Sequence, residues 1–153
     1  MKKEDIRFME YVGVVVLIVV MAAVFLLVRE PDVSFARGVF SGLIKGDESV
    51  KEAIDWPSFK AVGNDLGAIY SKLPSDKERG LYKQAFILNF ALGFKSSGGK
   101  FSSFTNWRII QRNKQGVIVV ADIGASGERT VLFAISKKYR NRKLVAIEWE
   151  EKK

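Results

Sequence analysis

The sequence predicts an α+β protein: an N-terminal transmembrane helix followed by about three helices packed on a curved, antiparallel four-stranded sheet. Three observations carry that expectation. Residues 11–28 are eighteen consecutive uncharged residues. Between Phe35 and Phe94, apolar residues recur at three- and four-residue steps, the period of helices with one buried face. From Phe104 onward the period changes to two, the alternation of strands in a packed sheet. Helices followed by consecutive strands segregate into a helix layer and an antiparallel sheet.

Charge flanks the apolar run at Glu10 and at Arg29-Glu30. As a helix the run is roughly 27 Å long, close to the ~30 Å hydrocarbon core of a bilayer. It exceeds a signal-peptide core of ~7–15 residues, and Leu26-Leu27-Val28-Arg29-Glu30-Pro31 offers no small-x-small cleavage site. The expectation is an uncleaved signal anchor over 11–28 behind a short cytoplasmic tail, 1–10. A linker, 29–33, then leads to a soluble α+β domain, 34–153. Lys2, Lys3 and Arg7 favour a cytoplasmic tail. The domain is thereby expected on the periplasmic or extracytoplasmic side of the inner (cytoplasmic) membrane, in a single-pass protein whose first partner is the lipid bilayer.

Within the domain, Phe35, Val39, Phe40, Leu43 and Ile44 fall at helical spacing, and Gly46 stops the helix. Val50, Ala53 and Ile54 suggest a short second helical turn. Asp55-Trp56-Pro57 opens a further helix, continued by Phe59, Val62, Leu66, Ile69 and Leu73 until Pro74. Ser75 and Glu78 have capping-box spacing and start a helix through Leu81, Ala85, Leu88 and Leu92, with Phe86, Phe90 and Phe94 on an adjoining stripe. Apolar nearly all round from Ala85 to Phe94, this helix is expected to be central.

The strands follow at Phe104–Arg112, Val117–Ile123, Arg129–Tyr139 and Leu144–Glu150, separated by Gly- and Asn-containing turns and by Arg140-Asn141-Arg142-Lys143. The middle two are apolar on both faces. Val117, Val119, Ala121 and Ile123 alternate with Ile118 and Val120, and Val131, Phe133 and Ile135 with Leu132 and Ala134. Three helices cover one face, so the other is expected to meet a second copy of the chain or another protein, with Val119, Val131, Phe133 and Ile135 as the interface. The alternative is a long first strand and the C-terminal tail curling over that face.

Composition narrows the chemistry. The chain has no histidine and no cysteine, which removes His acid–base catalysis, His-containing triads, His or Cys metal sites and disulfides. It has no P-loop and no dinucleotide fingerprint; Gly98-Gly99 and Gly124-x-x-Gly127 read as turns. The expectation is a non-enzyme without cofactor or metal. Charge is unevenly placed: residues 29–94 hold nine basic and nine acidic side chains, whereas 95–147 hold eleven basic against Asp122 and Glu128 alone. Lys137, Lys138, Arg140, Arg142, Lys143 and Arg112 form a candidate contact for an acidic lipid or protein surface, with nucleic acid disfavoured. The bland counterpart is a solvated hairpin kept charged against edge-to-edge aggregation.

Ile44-Lys45-Gly46-Asp47 closing an amphipathic helix, then Asp55-Trp56-Pro57-Ser58-Phe59, a long apolar helix and a strand meander form an order of elements. Over Val33 to Glu151 it resembles the nuclear transport factor two-like (cystatin-like) superfamily. Two branches are similar. One is the single-pass inner-membrane assembly subunits of type IV secretion machines. The other is the periplasmic phospholipid-shuttle and toluene-tolerance proteins, which residues Arg79 to Phe86 resemble. The resemblance implies helices on a curved four-stranded sheet enclosing a cone. It also implies a lesser, catalytic option, since related cones host isomerases and dehydratases that use an aspartate and a tyrosine, here Asp122 with Tyr82 or Tyr70.

Three function classes follow. The leading one is a membrane-anchored, non-catalytic scaffold or assembly subunit of a cell-envelope complex, using a sheet face and the basic hairpin for protein contacts. The alternative is a tethered carrier of a lipid or other hydrophobic ligand, with Phe40, Phe59, Phe86, Phe90 and Trp107 lining the pocket; the same rings equally suit a closed core. The last is a pocket enzyme. An interior filled by side chains favours the scaffold, an open apolar cavity the carrier, and a cavity floored by Asp122 the enzyme.

Overall fold

The computed structural model describes residues 14–21, 30–138 and 141–151. The chain forms two compact units, Met1–Pro31 and Asp32–Lys153. In the first, residues 14–21 are helical (α1) and exposed. The expected membrane anchor is corrected here: among the described residues no helix is long and apolar enough to cross a membrane. Residues 11–13 and 22–28 of the expected span, and the whole tail 1–10, lie outside the described residues. The single-pass signal anchor, the inner-membrane location and the periplasmic or extracytoplasmic placement lose their support together.

The second unit is built on helix α2, Pro31–Lys45, which begins inside the stretch read as a linker. Pro31 suits the first turn, where its missing N–H would have no partner. Gly46, at φ 71°, ends the helix in the left-handed conformation that a Cβ disfavours, and Asp47 N closes onto Gly42 O at 2.9 Å. Ala36, Val39, Phe40 and Leu43 are the buried stripe, at the three-and-four spacing of the sequence. A 3₁₀ turn, Glu48–Ala53, follows, its start held by Asp47 Oδ1 accepting from Ser49 N at 2.9 Å.

The stretch 55–73 is not one helix. A 3₁₀ turn over Trp56–Ser58 leads into two short strands, β1 (Lys60–Ala61) and β2 (Asn64–Asp65), before helix α3 (Leu66–Ser71). Val62 and Gly63 have φ of 50° and 75°, the pair of positive angles that a two-residue primed hairpin turn requires. Val62 therefore points to solvent, not into a helical stripe. Asp65 Oδ1 accepts from Ala68 N at 3.0 Å and caps α3.

Those two strands correct the expected sheet. It has six strands, not four, in the order β2-β1-β6-β5-β4-β3. The meander runs β3 (Phe104–Arg112), β4 (Gly116–Ile123), β5 (Arg129–Ser136) and β6 (Lys143–Glu151), each pair antiparallel. β1 joins β6 in parallel, Lys60 opposite Ala146 and Ala61 opposite Ile147, so the sheet is mixed. A parallel addition needs a long crossover, and the helical connection from β1 through α3 and the long helix α4 (Asp76–Ser96) to the meander supplies it.

Helix α4 starts with the expected capping box: Ser75 Oγ accepts from Glu78 N at 3.2 Å and donates to Glu78 Oε2 at 2.6 Å. It is peripheral, not central. Of its residues only Ile87 is fully buried; Phe86, Phe90 and Phe94 turn inward while Leu81, Leu88 and Leu92 are exposed. The place against the sheet belongs to α2. Its Phe40 ring meets Phe104 at 4.7 Å, Phe133 at 5.2 Å and Trp107 at 6.2 Å, with the α4 rings Phe94 and Phe90 on its other side at 5.9 and 6.3 Å. Phe59 and Phe86, 5.4 Å apart, extend the cluster under Trp56. Rings at these separations in edge-to-face and stacked geometry fill the space between helices and sheet.

Candidate functional site

The sheet presents one face to that aromatic core and one outward. Val119, Val131, Phe133 and Ile135, the expected interface, point inward and are almost completely buried with Phe40 and Leu43. This corrects their assignment. Alternation defines two faces of a strand but not which of them the helices take. The outward set is the other one: Ile118 opposite Ala134, Val120 opposite Leu132, and Ala134 opposite Ala146. Ile118, Leu132, Ala134, Val145 and Ala146 are half-buried, whereas Val120 on the same face is fully buried. At one end of this face Ile118, Ala134, Val145 and Ala146 line an open groove of about 700 Å³, together with Asp55, Lys60 and Lys138.

The other end of the outer face is charged and internally matched. Asp122 accepts from Arg108 Nη1 at 3.0 Å and Nη2 at 3.3 Å, from Asn106 Nδ2 at 2.8 Å and from Thr130 Oγ1 at 3.3 Å. Asn106 sits at φ 50° where β3 shifts register, a conformation that asparagine tolerates better than most residues. Tyr82 and Tyr70 lie on the helix side, packed on Trp56, and Tyr82 Oη donates to Leu66 O at 3.3 Å. Burial pushes the Tyr82 phenol pKa up. The aspartate and the tyrosines are therefore on opposite sides of the sheet and form no joint pocket. Among the described residues no acidic cluster is arranged to hold a metal ion.

The expected anionic contact is largely turned inward as well. Asp32, almost fully buried in the first turn of α2, accepts from Lys137 Nζ at 2.9 Å and Arg142 Nε at 2.6 Å, with Arg112 Nη2 at 3.7 Å. Burial alone raises a carboxyl pKa; here hydrogen bonds from Arg142 and Lys137, and the charge of both, outweigh it and hold Asp32 below the ordinary aspartate value. Lys143 Nζ donates to Glu52 O. Lys138 remains at the surface, beside the groove. Arg140 lies outside the described residues. The basic hairpin is thus first a clamp on α2, and what it leaves outward is a smaller positive rim.

Of the expected ligand-pocket residues, Phe40 and Phe59 are fully buried, and Phe86 and Trp107 pack into the same cluster. Phe90 also reaches an opening. With Phe94, Phe104, Ile123 and Trp149 it lines an open cavity of about 530 Å³ at the C-terminal end of α4, with Lys100 and Arg129 beside it. Sequence reasoning passed over Asp32, read as linker, although an acid in the first turn of a proline-initiated helix is itself a signal for a cap. It also missed the outer set Ile118, Leu132 and Ala134 as the free face, for which period two gives no signal.

No family model, no curated protein and no solved structure matches this chain.

Proposed function

We propose that this chain is a non-catalytic interaction module that docks a partner protein on the outer face of its sheet. One observation carries the reading: Ile118, Leu132, Ala134 and Ala146 form a half-buried apolar patch on the outer face, and all but Leu132 line a groove with Lys60 on its rim. The occupant that fits is a polypeptide segment with apolar side chains for the face and a carboxylate for Lys60. Apolar contact supplies the affinity and the charge pair orients the segment.

The test is affinity purification of the full-length chain from its native cells beside two variants, Ile118→Asp and Leu81→Ser. A co-purifying protein lost with Ile118→Asp, kept with Leu81→Ser, and cross-linked through an acid-flanked segment supports the module. Identical recovery with all three chains, while circular dichroism shows each folded, sinks it.

A second reading rests on the cavity beside Phe90, Phe94 and Trp149. Its apolar walls with Lys100 and Arg129 at the edge suit a small amphiphile with an anionic end. Titration with dodecanoate tests it: saturable quenching of tryptophan emission, abolished by Phe94→Asp, supports a binder, and no saturation dismisses it.

A further inference from the structure

We propose that α4 is a self-association surface, pairing antiparallel with α4 of a second copy of the chain. Six positions along its outward side, Glu78, Leu81, Ala85, Leu88, Leu92 and Lys95, are all exposed and recur at steps of three, four, three, four and three. That is a heptad seam, the spacing by which one helix packs knobs into the holes of another. Leu81, Leu88 and Leu92 are 57%, 45% and 61% exposed, an arrangement that a helix with nothing to meet has no reason to keep.

The identity of the occupant comes from the symmetry of the seam. Its spacing reads the same in both directions about the midpoint between Phe86 and Ile87. A two-fold axis at that midpoint sets Leu81 against Leu92 of the second copy, Ala85 against Leu88, and Glu78 against Lys95. The ends carry opposite charge, so antiparallel pairing joins acid to base twice, whereas parallel pairing puts Glu78 against Glu78 and Lys95 against Lys95. This is the self-complementarity an isologous contact demands.

The seam is roughly 26 Å long, and a single helix pair of that length covers less than the ~800 Å² per partner of a standard interface. Association at micromolar concentration, faster to exchange than an obligate dimer, is the expected behaviour. This surface lies on α4, away from the outer sheet face, so it stands or falls separately from the proposed partner contact.

Cysteine cross-linking of the full chain tests the arrangement, helped by the absence of native cysteine. One chain carrying Leu81→Cys and another carrying Leu92→Cys are mixed and oxidised. The inference expects the mixed disulfide, between the L81C chain and the L92C chain, to exceed either symmetric product by about tenfold. Leu88→Asp in both chains is expected to cut its yield by at least as much. All three sites are exposed, so the substitutions leave the fold intact, as circular dichroism checks. An excess of the symmetric product between two L81C chains, or no inter-chain disulfide at concentrations up to about a millimolar, overturns the inference, whatever else covers the seam.

Discussion

At the scale of single residues, strain and charge are concentrated at two positions. Val62 holds φ 50° at an exposed hairpin tip, where a β-branched side chain is at its least comfortable. Its backbone N–H still donates to Ile147 O at 2.9 Å, a bond any residue but proline keeps. Val62→Asn is expected to raise stability by about 1 kcal/mol in urea unfolding, and Val62→Pro to lower it. Asp32 is the opposite case, a buried carboxylate whose hydrogen bonds with Arg142 and Lys137 tie α2 to the end of the sheet. Asp32→Asn should cost about 1–3 kcal/mol. Because the folded-state pKa of Asp32 is lowered, its contribution is full above the unfolded value near 4 and fades as pH falls through the lower folded value. The gap between wild type and Asp32→Asn, followed by chemical unfolding, should stay constant above about pH 5 and shrink below about pH 4.

At the scale of elements, position 67 decides whether the segment before α4 can fold as it does. Gly67 N donates to Phe59 O at 2.8 Å, and a Cβ there would collide with the carbonyl of Pro57, a backbone atom with no rotamer to change. Gly67→Ala is expected to destabilise by roughly 2–4 kcal/mol and to loosen β1 from β6, read as faster amide exchange at Val62. This segment also shows where the sequence was opaque. Phe59, Val62, Leu66, Ile69 and Leu73 have helical spacing, yet the Val62-Gly63 turn and the parallel seat on β6 are tertiary matters that override a helical period. The α2 stripe, the Ser75–Glu78 cap and the four meander strands were legible because each is set by residues close in sequence. The peripheral position of α4 was not: with apolar residues on both its sides, periodicity offers no choice of which faces inward.

At the scale of the whole molecule, the second unit is a sheet with helices packed on one face and a half-buried apolar patch on the other. The candidate site was half legible. That two faces of β4 and β5 are apolar is written in the sequence; that Val119 and Phe133 belong to the core and Ile118 and Leu132 to the surface depends on where Phe40 of α2 settles. The basic residues were visible too, but their direction was not, since Asp32, 105 residues before Lys137 in the chain, draws them inward. If charge on the outer rim orients the partner, binding should weaken as salt rises, and Lys60→Glu should weaken it further at low salt, by about threefold to tenfold in surface plasmon resonance. The most direct measurement is photo-cross-linking in native cells from benzoylphenylalanine placed at Leu132, on the outer face, and at Val62, exposed on the β1–β2 turn. An adduct with one partner polypeptide from Leu132, absent from Val62, is the expected result. Equal adducts from both positions, or none from Leu132, would contradict a docking role for the outer face.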